Sequence, residues 1–169
     1  IKAGSFADFA KLYDLDVPEA LELELMKEHI KSLLGGETVY LPKYDMSGTA
    51  KRVDNVTKTT PSKIIISEGL FTLTDKVVDA FDIKIYVDVS SNVQQERFYI
   101  SAAERDLGSS ADDVYLNAAS KAKIHIHPTK ANADIILSGE ADRTSYKNFI
   151  KKVLELVRDV HFSSVLMYS

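Results

Sequence analysis

The side chain best placed to do chemistry is Glu68, in the stretch Lys63 to Gly69, KIIISEG, where three isoleucines lead into a serine, a carboxylate and a glycine. Three consecutive β-branched residues leave no polar side to alternate with. That pattern predicts a strand covered on both faces, as in the parallel sheet of an α/β protein. Glu68 then stands at the strand's carboxyl end, the edge of an open α/β sheet where ligands bind. A carboxylate there can reach a metal ion or a substrate, and Gly69 leaves room for a close approach. The same carboxylate can equally do no more than cap the following turn. Histidines offer less: His125 and His127 read as two imidazoles on one side of a strand, short of a metal-ligand set, and His29 reads as a solvated helix residue.

Elements on either side must hold Glu68 in place. Ile1 to Asp16 is weakly periodic and gives no firm reading. Pro18 suits a first helical turn, Glu19 and Glu22 suit the amino end of a helix dipole, and Leu23, Met26, Ile30, Leu33 and Leu34 form one apolar stripe. This predicts an amphipathic helix from Pro18 to Gly35-Gly36, where a glycine most easily supplies the positive φ of a helix end. Thr38 to Leu41 reads as a short strand stopped by Pro42, and the polar stretch Lys43 to Ser62 as a surface hairpin of a length that is often functional. Beyond Glu68 the pattern predicts a short helix over Thr74 to Phe81 and a buried strand over Ile83 to Val89, with Asp88 near its end. Together with KIIISEG these make a right-handed βαβ unit. Helices follow over Asn92 to Arg105 and Ala111 to Lys123, then a third buried strand over Ala133 to Leu137. An amphipathic helix over Ser145 to Val160 carries Phe149, Val153, Leu156 and Val157. The alternation argues a parallel α/β sheet in a single domain spanning residues 1–169.

Composition narrows the function classes. With 169 residues, 45% of them hydrophobic, the chain has material for one domain with a core. A net charge of −4, from 21 Lys+Arg against 25 Asp+Glu, argues against a nucleic-acid binder. Cysteine is absent, which excludes disulfides, zinc–thiolate sites and a thiol nucleophile. No apolar run approaches the roughly 20 residues that span a bilayer, and Ile1 to Leu12 lacks the pattern of a signal peptide. The expectation is a soluble, intracellular, cytoplasmic protein without a membrane partner, an organelle remaining open. The chain opens on Ile1 rather than Met, which suggests that upstream material was removed or omitted.

Several segments, in this order, resemble the uridine/cytidine kinase family of P-loop nucleoside kinases, related to phosphoribulokinase. They are YDLDVPEAL (Tyr13 to Leu21), GGETVYLPKYD (Gly35 to Asp45), KIIISEGLF with the following LTD, IKIYVDV, and HPTKANADIILSG (His127 to Gly139). The resemblance implies a three-layer, parallel-sheet P-loop kinase-like fold. It implies that Asp16 holds the ribose hydroxyls, a carboxylate being able to accept two hydrogen bonds from a vicinal diol; the alternative is an N-cap for the helix near Pro18. Tyr44 matches the aromatic position against the pyrimidine ring, the alternative being an exposed loop tyrosine. Glu68 matches the acidic residue that faces Mg2+ and the transferred phosphoryl group, a catalytic and metal-binding position. Asp8, in ADFAK, is a second catalytic candidate, as a general base, although the spacing that follows it is short for the family.

The departures bear on activity. A P-loop kinase needs a glycine-rich loop with a lysine and a Ser or Thr for phosphates and metal, and no such stretch occurs in these 169 residues. Lys31-Ser32 lies in a helical stripe with no glycines before it. The resemblance implies that the family's central first strand and P-loop precede Ile1. In the lid region, QQERFYISAAERDLGSS, Arg97 and Arg105 remain as substrate-contacting cations, while Phe98, Ser101, Ser109 and Ser110 stand at arginine positions. Thr49 stands nearest the place of a base-reading histidine, and Val17 replaces another histidine. Two readings follow. One is part of an ATP- and Mg2+-dependent pyrimidine nucleoside kinase, inactive as this chain alone. The other is a degenerate kinase-like module, without cofactor, that binds or assembles within a larger complex or with copies of itself.

Overall fold

The computed structural model describes residue 14 and residues 16–45, 52–105, 107–159 and 164–166; Asp8 and Thr49 lie outside the described residues. Helix α1 (Leu23–Leu34) buries Leu23, Ile30 and Leu33 along the expected stripe. It begins later than its composition suggests. Pro18–Ala20 forms a separate 3-10 turn, and Leu21 returns to extended backbone at φ −114°, ψ 147° before α1 starts. The helix ends as anticipated, with Gly36 at φ 87°, its amide donating to the Leu33 carbonyl at 3.1 Å and the Glu37 amide to the Ser32 carbonyl at 2.9 Å. This pair of bonds is the Schellman closure, which satisfies two otherwise unpaired carbonyls.

Strand β1 (Val39–Tyr44) pairs antiparallel with β2 (Arg52–Thr59) in an exposed hairpin. Pro42 does not stop β1, contrary to the sequence expectation. The register shifts between Pro42 and Lys43, so the residue that lacks an amide sits at an irregularity of a two-stranded ladder, where a missing donor is tolerated.

Strand β3 (Ile65–Ser67) pairs in parallel with β6 (Ser164–Leu166), and β4 (Ile85–Asp88) in parallel with β5 (Ile135–Ser138). Parallel pairing and helices make the molecule α/β. Two expectations for β3 fail. Ile66 is 61% exposed, so β3 is not covered on both faces; among the described residues it has one neighbouring strand and lacks cover on the side of Ile66. Nor does an α-helix link β3 to β4. Residues 71–81 fold as successive turns with a 3-10 segment at Val78–Ala80. Phe71, Thr72 and Leu73 are all buried, a run of three adjacent residues that a single helical stripe cannot bury together. These turns supply most of the core, in which Leu73, Val77, Ala80 and Phe81 pack with Ile30 of α1, and Met26, Tyr86 and Ala133 lie against them.

The β4–β5 crossover carries the long helices α2 (Ser91–Glu104) and α3 (Ala111–His125). His125 ends α3 and His127 opens a 3-10 segment, so the two imidazoles do not alternate on a strand as the sequence suggested. Helix α4 (Arg143–Asp159) follows β5. Among the described residues no helix is long and apolar enough to cross a membrane.

Candidate ligand site between α2, α3 and the β4 edge

Helices α2 and α3 are brought together by small residues and aromatic rings. Ala102 and Ala122 are buried, and Phe98 meets Tyr115 with ring centroids 5.2 Å apart. Tyr99 adds a second tie, its hydroxyl donating to Asp112 Oδ1 at 2.6 Å. Such ring pairs add to the area they bury, and here they fix one wall of a cleft.

That cleft has two adjoining parts. The smaller, about 140 Å³, is lined by Phe71, Phe98, Tyr115 and Ala122 together with Asp16 and Lys121. The larger, about 330 Å³, lies at the carboxyl end of β4 and takes in Asp88, Arg97, His127 and Thr129. Leu70, Gln94, Ala122 and Ile126 border both. A ring-sized, mostly apolar chamber with a carboxylate in its lining, next to a more polar chamber with a guanidinium, suits a ligand with a flat end and a polar end.

Asp16 is partly buried, and burial pushes its carboxyl above the ordinary aspartate range, helped by the nearby Asp14 and opposed by Lys121. Asp14 behaves oppositely, held low first by its hydrogen bond from Lys121. Lys121 Nζ lies 2.5 Å from Asp14 Oδ2, and the Asp16 amide donates to Asp14 Oδ1 at 3.1 Å. The capping alternative for Asp16 is not realised: the residue preceding the 3-10 turn is Val17, and no side chain caps it.

The larger chamber is braced from below. Lys130 Nζ lies 2.6 Å from Asp88 Oδ2 and 5.9 Å from the Tyr86 ring centroid. Gly139 packs so closely on β4 that an added Cβ would stand 2.3 Å from Val89 Cγ2. Its amide donates to the Asp88 carbonyl at 2.7 Å, and its carbonyl accepts from Arg97 Nη2 at 2.9 Å. Arg97 thus clamps α2 to the turn after β5 while lining the chamber, with further guanidinium donors beyond this bond.

Other expected site residues are placed differently. Arg105 lines neither chamber; its Nε donates to the Ser101 carbonyl at 3.2 Å and its guanidinium lies over Phe98, 5.7 Å from the ring centroid. Tyr44 also lines neither, and its hydroxyl donates to the Glu22 carboxylate. Burial first, then that carboxylate, raise the phenol above its usual range. Glu68 is exposed just past β3, as expected for the strand end, and is followed by Gly69 at φ 153°. The glycine is required by this backbone conformation rather than by crowding, since an added Cβ would meet only Thr72 Cγ2, at 3.5 Å. Among the described residues no three His, Asp or Glu side chains gather to hold a metal. Glu68 by itself offers one carboxylate, the modest protein share that Mg2+ takes when substrate phosphates and water complete its shell.

Sequence reasoning missed Gln94, Tyr115, Lys121 and the Asp88–Lys130 pair. For Tyr115 a signal existed, since Tyr115, Ala118, Ala119 and Ala122 recur at helical spacing. No local pattern could have joined Lys121 to Asp14.

Comparison with known proteins identifies the family. Residues 5–152 match the model of the Phosphoribulokinase / Uridine kinase family. The chain is similar to a uridine kinase of Halobacterium salinarum, 33% identical over 146 residues, covering 82% of this chain and 63% of that protein. It is similar to uridine kinases of Clostridium perfringens (32% over 151 residues) and Staphylococcus aureus (33% over 148), covering in each case 84% of this chain and 70% of the relative. The chain therefore spans roughly two thirds of the length of these relatives. By the extent of the family match and the identity to these relatives, the chain belongs to the phosphoribulokinase/uridine kinase family.

Proposed function

We propose that this chain is a uridine kinase-like domain that binds a pyrimidine nucleoside, and that it does not by itself carry the phosphoryl transfer of its family. The observation that carries the reading is the Asp16 chamber: a partly buried carboxylate lining a cavity walled by Phe71, Phe98 and Tyr115. An ionised Asp16 accepts two hydrogen bonds from a ribose diol, and the aromatic wall offers flat apolar surface. Arg97, lining the neighbouring chamber, gives the polar end of such a ligand a cation. Tyr44 is engaged with Glu22 and Arg105 lies over the chamber-lining Phe98, and both stay candidates for substrate contact by the family resemblance. Asp8 keeps its place as a general-base candidate.

Transfer within the family draws on ATP with Mg2+, which supply the phosphoryl group and neutralise its charge. Glu68 is the residue of this chain that would face the metal. The neutral residues Phe98, Ser101, Ser109 and Ser110 at arginine positions support weak or absent transfer in the chain alone. They also favour the second reading, service as a binding module within a larger assembly or a homo-oligomer.

Calorimetry with uridine and cytidine, together with an assay for monophosphate after incubation with ATP and Mg2+, tests both parts. Saturable nucleoside binding without monophosphate is the expected result. Monophosphate formation removes the second part, and absence of nucleoside binding removes the first.

A further inference from the structure

We infer that Lys121 of α3 is a positioning residue that sets the nucleoside-facing Asp16 by holding its neighbour Asp14, an inference that rests on the nucleoside-binding reading above. The geometry is a relay of two contacts. Lys121 Nζ lies 2.5 Å from Asp14 Oδ2, and the other oxygen of that carboxylate accepts the Asp16 amide at 3.1 Å. A single carboxylate thereby joins the long helix α3 to the short turn that carries Asp16. The 3-10 segment that follows is tied separately, by buried Pro18 and by Lys76 Nζ 3.0 Å from Glu19 Oε1, whereas Asp16 itself has no side-chain hydrogen bond to another described residue.

Lys121 also lines the same chamber as Asp16, so direct contact with ligand is the alternative that the test must separate from action through Asp14. The charged and titratable groups of this corner are Asp14 and Asp16 on the turn and Lys121 and His125 on α3. Two carboxylates so close repel, which disfavours ionisation of the more buried one. One shared lysine offsets that repulsion and keeps Asp16 available as an acceptor of hydrogen bonds. The lysine is 29% exposed and Asp14 35% exposed, so water screens the pair and its effect on affinity is moderate.

The test uses the full chain with uridine as the probe, and reads both affinity and the carboxyl titrations of Asp14 and Asp16 by carbon-13 NMR. Lys121→Met is expected to weaken uridine binding about three- to fivefold, the range of a partly screened ion pair. Lys121→Arg should restore most of that affinity. Asp14→Ala, which removes both the partner of Lys121 and the acceptor of the Asp16 amide, should weaken binding similarly, and the double variant should be no weaker than either single one. In the Met variant the Asp14 titration should move to higher pH. Loss in Lys121→Met with none in Asp14→Ala would mean that the lysine touches ligand itself, and would overturn the relay. An unmoved Asp14 titration would overturn it too. Should the wild-type chain bind no uridine, the nucleoside reading fails, while the titrations still decide whether the relay exists.

Discussion

Asp16 and Glu68 are both acidic side chains at the rim of the same fold, and their surroundings differ in kind. Asp16 sits partly buried over an aromatic chamber, with Asp14 and Lys121 arranged around it and its ionisation opposed by burial. Glu68 stands exposed beyond a three-residue strand, with no hydrogen bond or ion pair to another described residue and with Ile66 of the same strand turned to solvent. Burying a carboxylate costs free energy unless something binds it, so the first arrangement marks a site built for a ligand with hydrogen-bond donors. The second costs nothing to maintain and has no geometry until a cation or phosphate supplies it. On the proposed reading, the described residues organise the end that would take a nucleoside more fully than the surroundings of Glu68.

The comparison breaks most directly at Asp16. Asp16→Ala removes the charged acceptor of two hydrogen bonds and should weaken uridine binding by about tenfold to a hundredfold, as measured by calorimetry. A loss smaller than about twofold would place the ligand elsewhere. The pH dependence sharpens the same point. The raised carboxyl of Asp16 must be ionised to accept from a diol, so affinity should fall as pH drops through its elevated value, at a higher pH than an ordinary aspartate would give. Stability has the opposite sign. A carboxyl whose folded pKa is raised contributes stability that is present in full below its unfolded value and lost as pH rises through the folded one. Asp16→Asn should therefore leave the fold slightly more stable at neutral pH while binding uridine less well, measured by urea denaturation beside calorimetry. Asp14, held low by Lys121, contributes stability above its unfolded value that is lost as pH falls through the folded one.

What was legible in the residues follows the same division. The end of α1 at Gly35-Gly36 and the existence of strands β4 and β5 could be read from local pattern, because a positive φ and an apolar β-branched run are properties of neighbours in sequence; the pairing of β4 with β5, where a βαβ unit of β3 and β4 was expected, could not. Residues 71–81 could not, since their burial comes from contacts with Ile30, Tyr86 and Ala133, far along the chain. Pro42 misled for a related reason: its cost in a strand depends on which side of the ladder it faces, which sequence does not state. At the site, Asp16 and Arg97 were found through the family motifs. Lys121 sits among alanines on α3 and acquires its role only when that helix meets the turn at Asp14.

The aromatic wall gives an intermediate effect. Phe98 packs on Tyr99 and Tyr115 and lies under Arg105, so Phe98→Ala removes a half-buried ring from the α2–α3 contact. It should cost about 1–2 kcal/mol of stability in urea denaturation, less than a fully buried phenylalanine because part of the ring already meets water. The same variant should also weaken uridine binding, because the ring lines the chamber. A stability loss with unchanged affinity would make Phe98 a helix-packing residue alone.

The smallest effect is expected at Glu68, and its smallness is what the comparison requires. Glu68→Gln keeps size and shape, removes one charge from an exposed side chain, and breaks no hydrogen bond or ion pair with another described residue. Stability should stay within about 0.5 kcal/mol of the wild type, the range of surface substitutions away from any buried feature. Uridine affinity without metal should change by less than about twofold, because a solvated charge outside the chamber is screened by salt. The difference should emerge only when Mg2+ and ATP are added, as loss of whatever coupling they have to nucleoside binding. A clear fall in metal-free uridine affinity would instead join Glu68 to the Asp16 chamber, and the two ends of the site would then have to be treated as one.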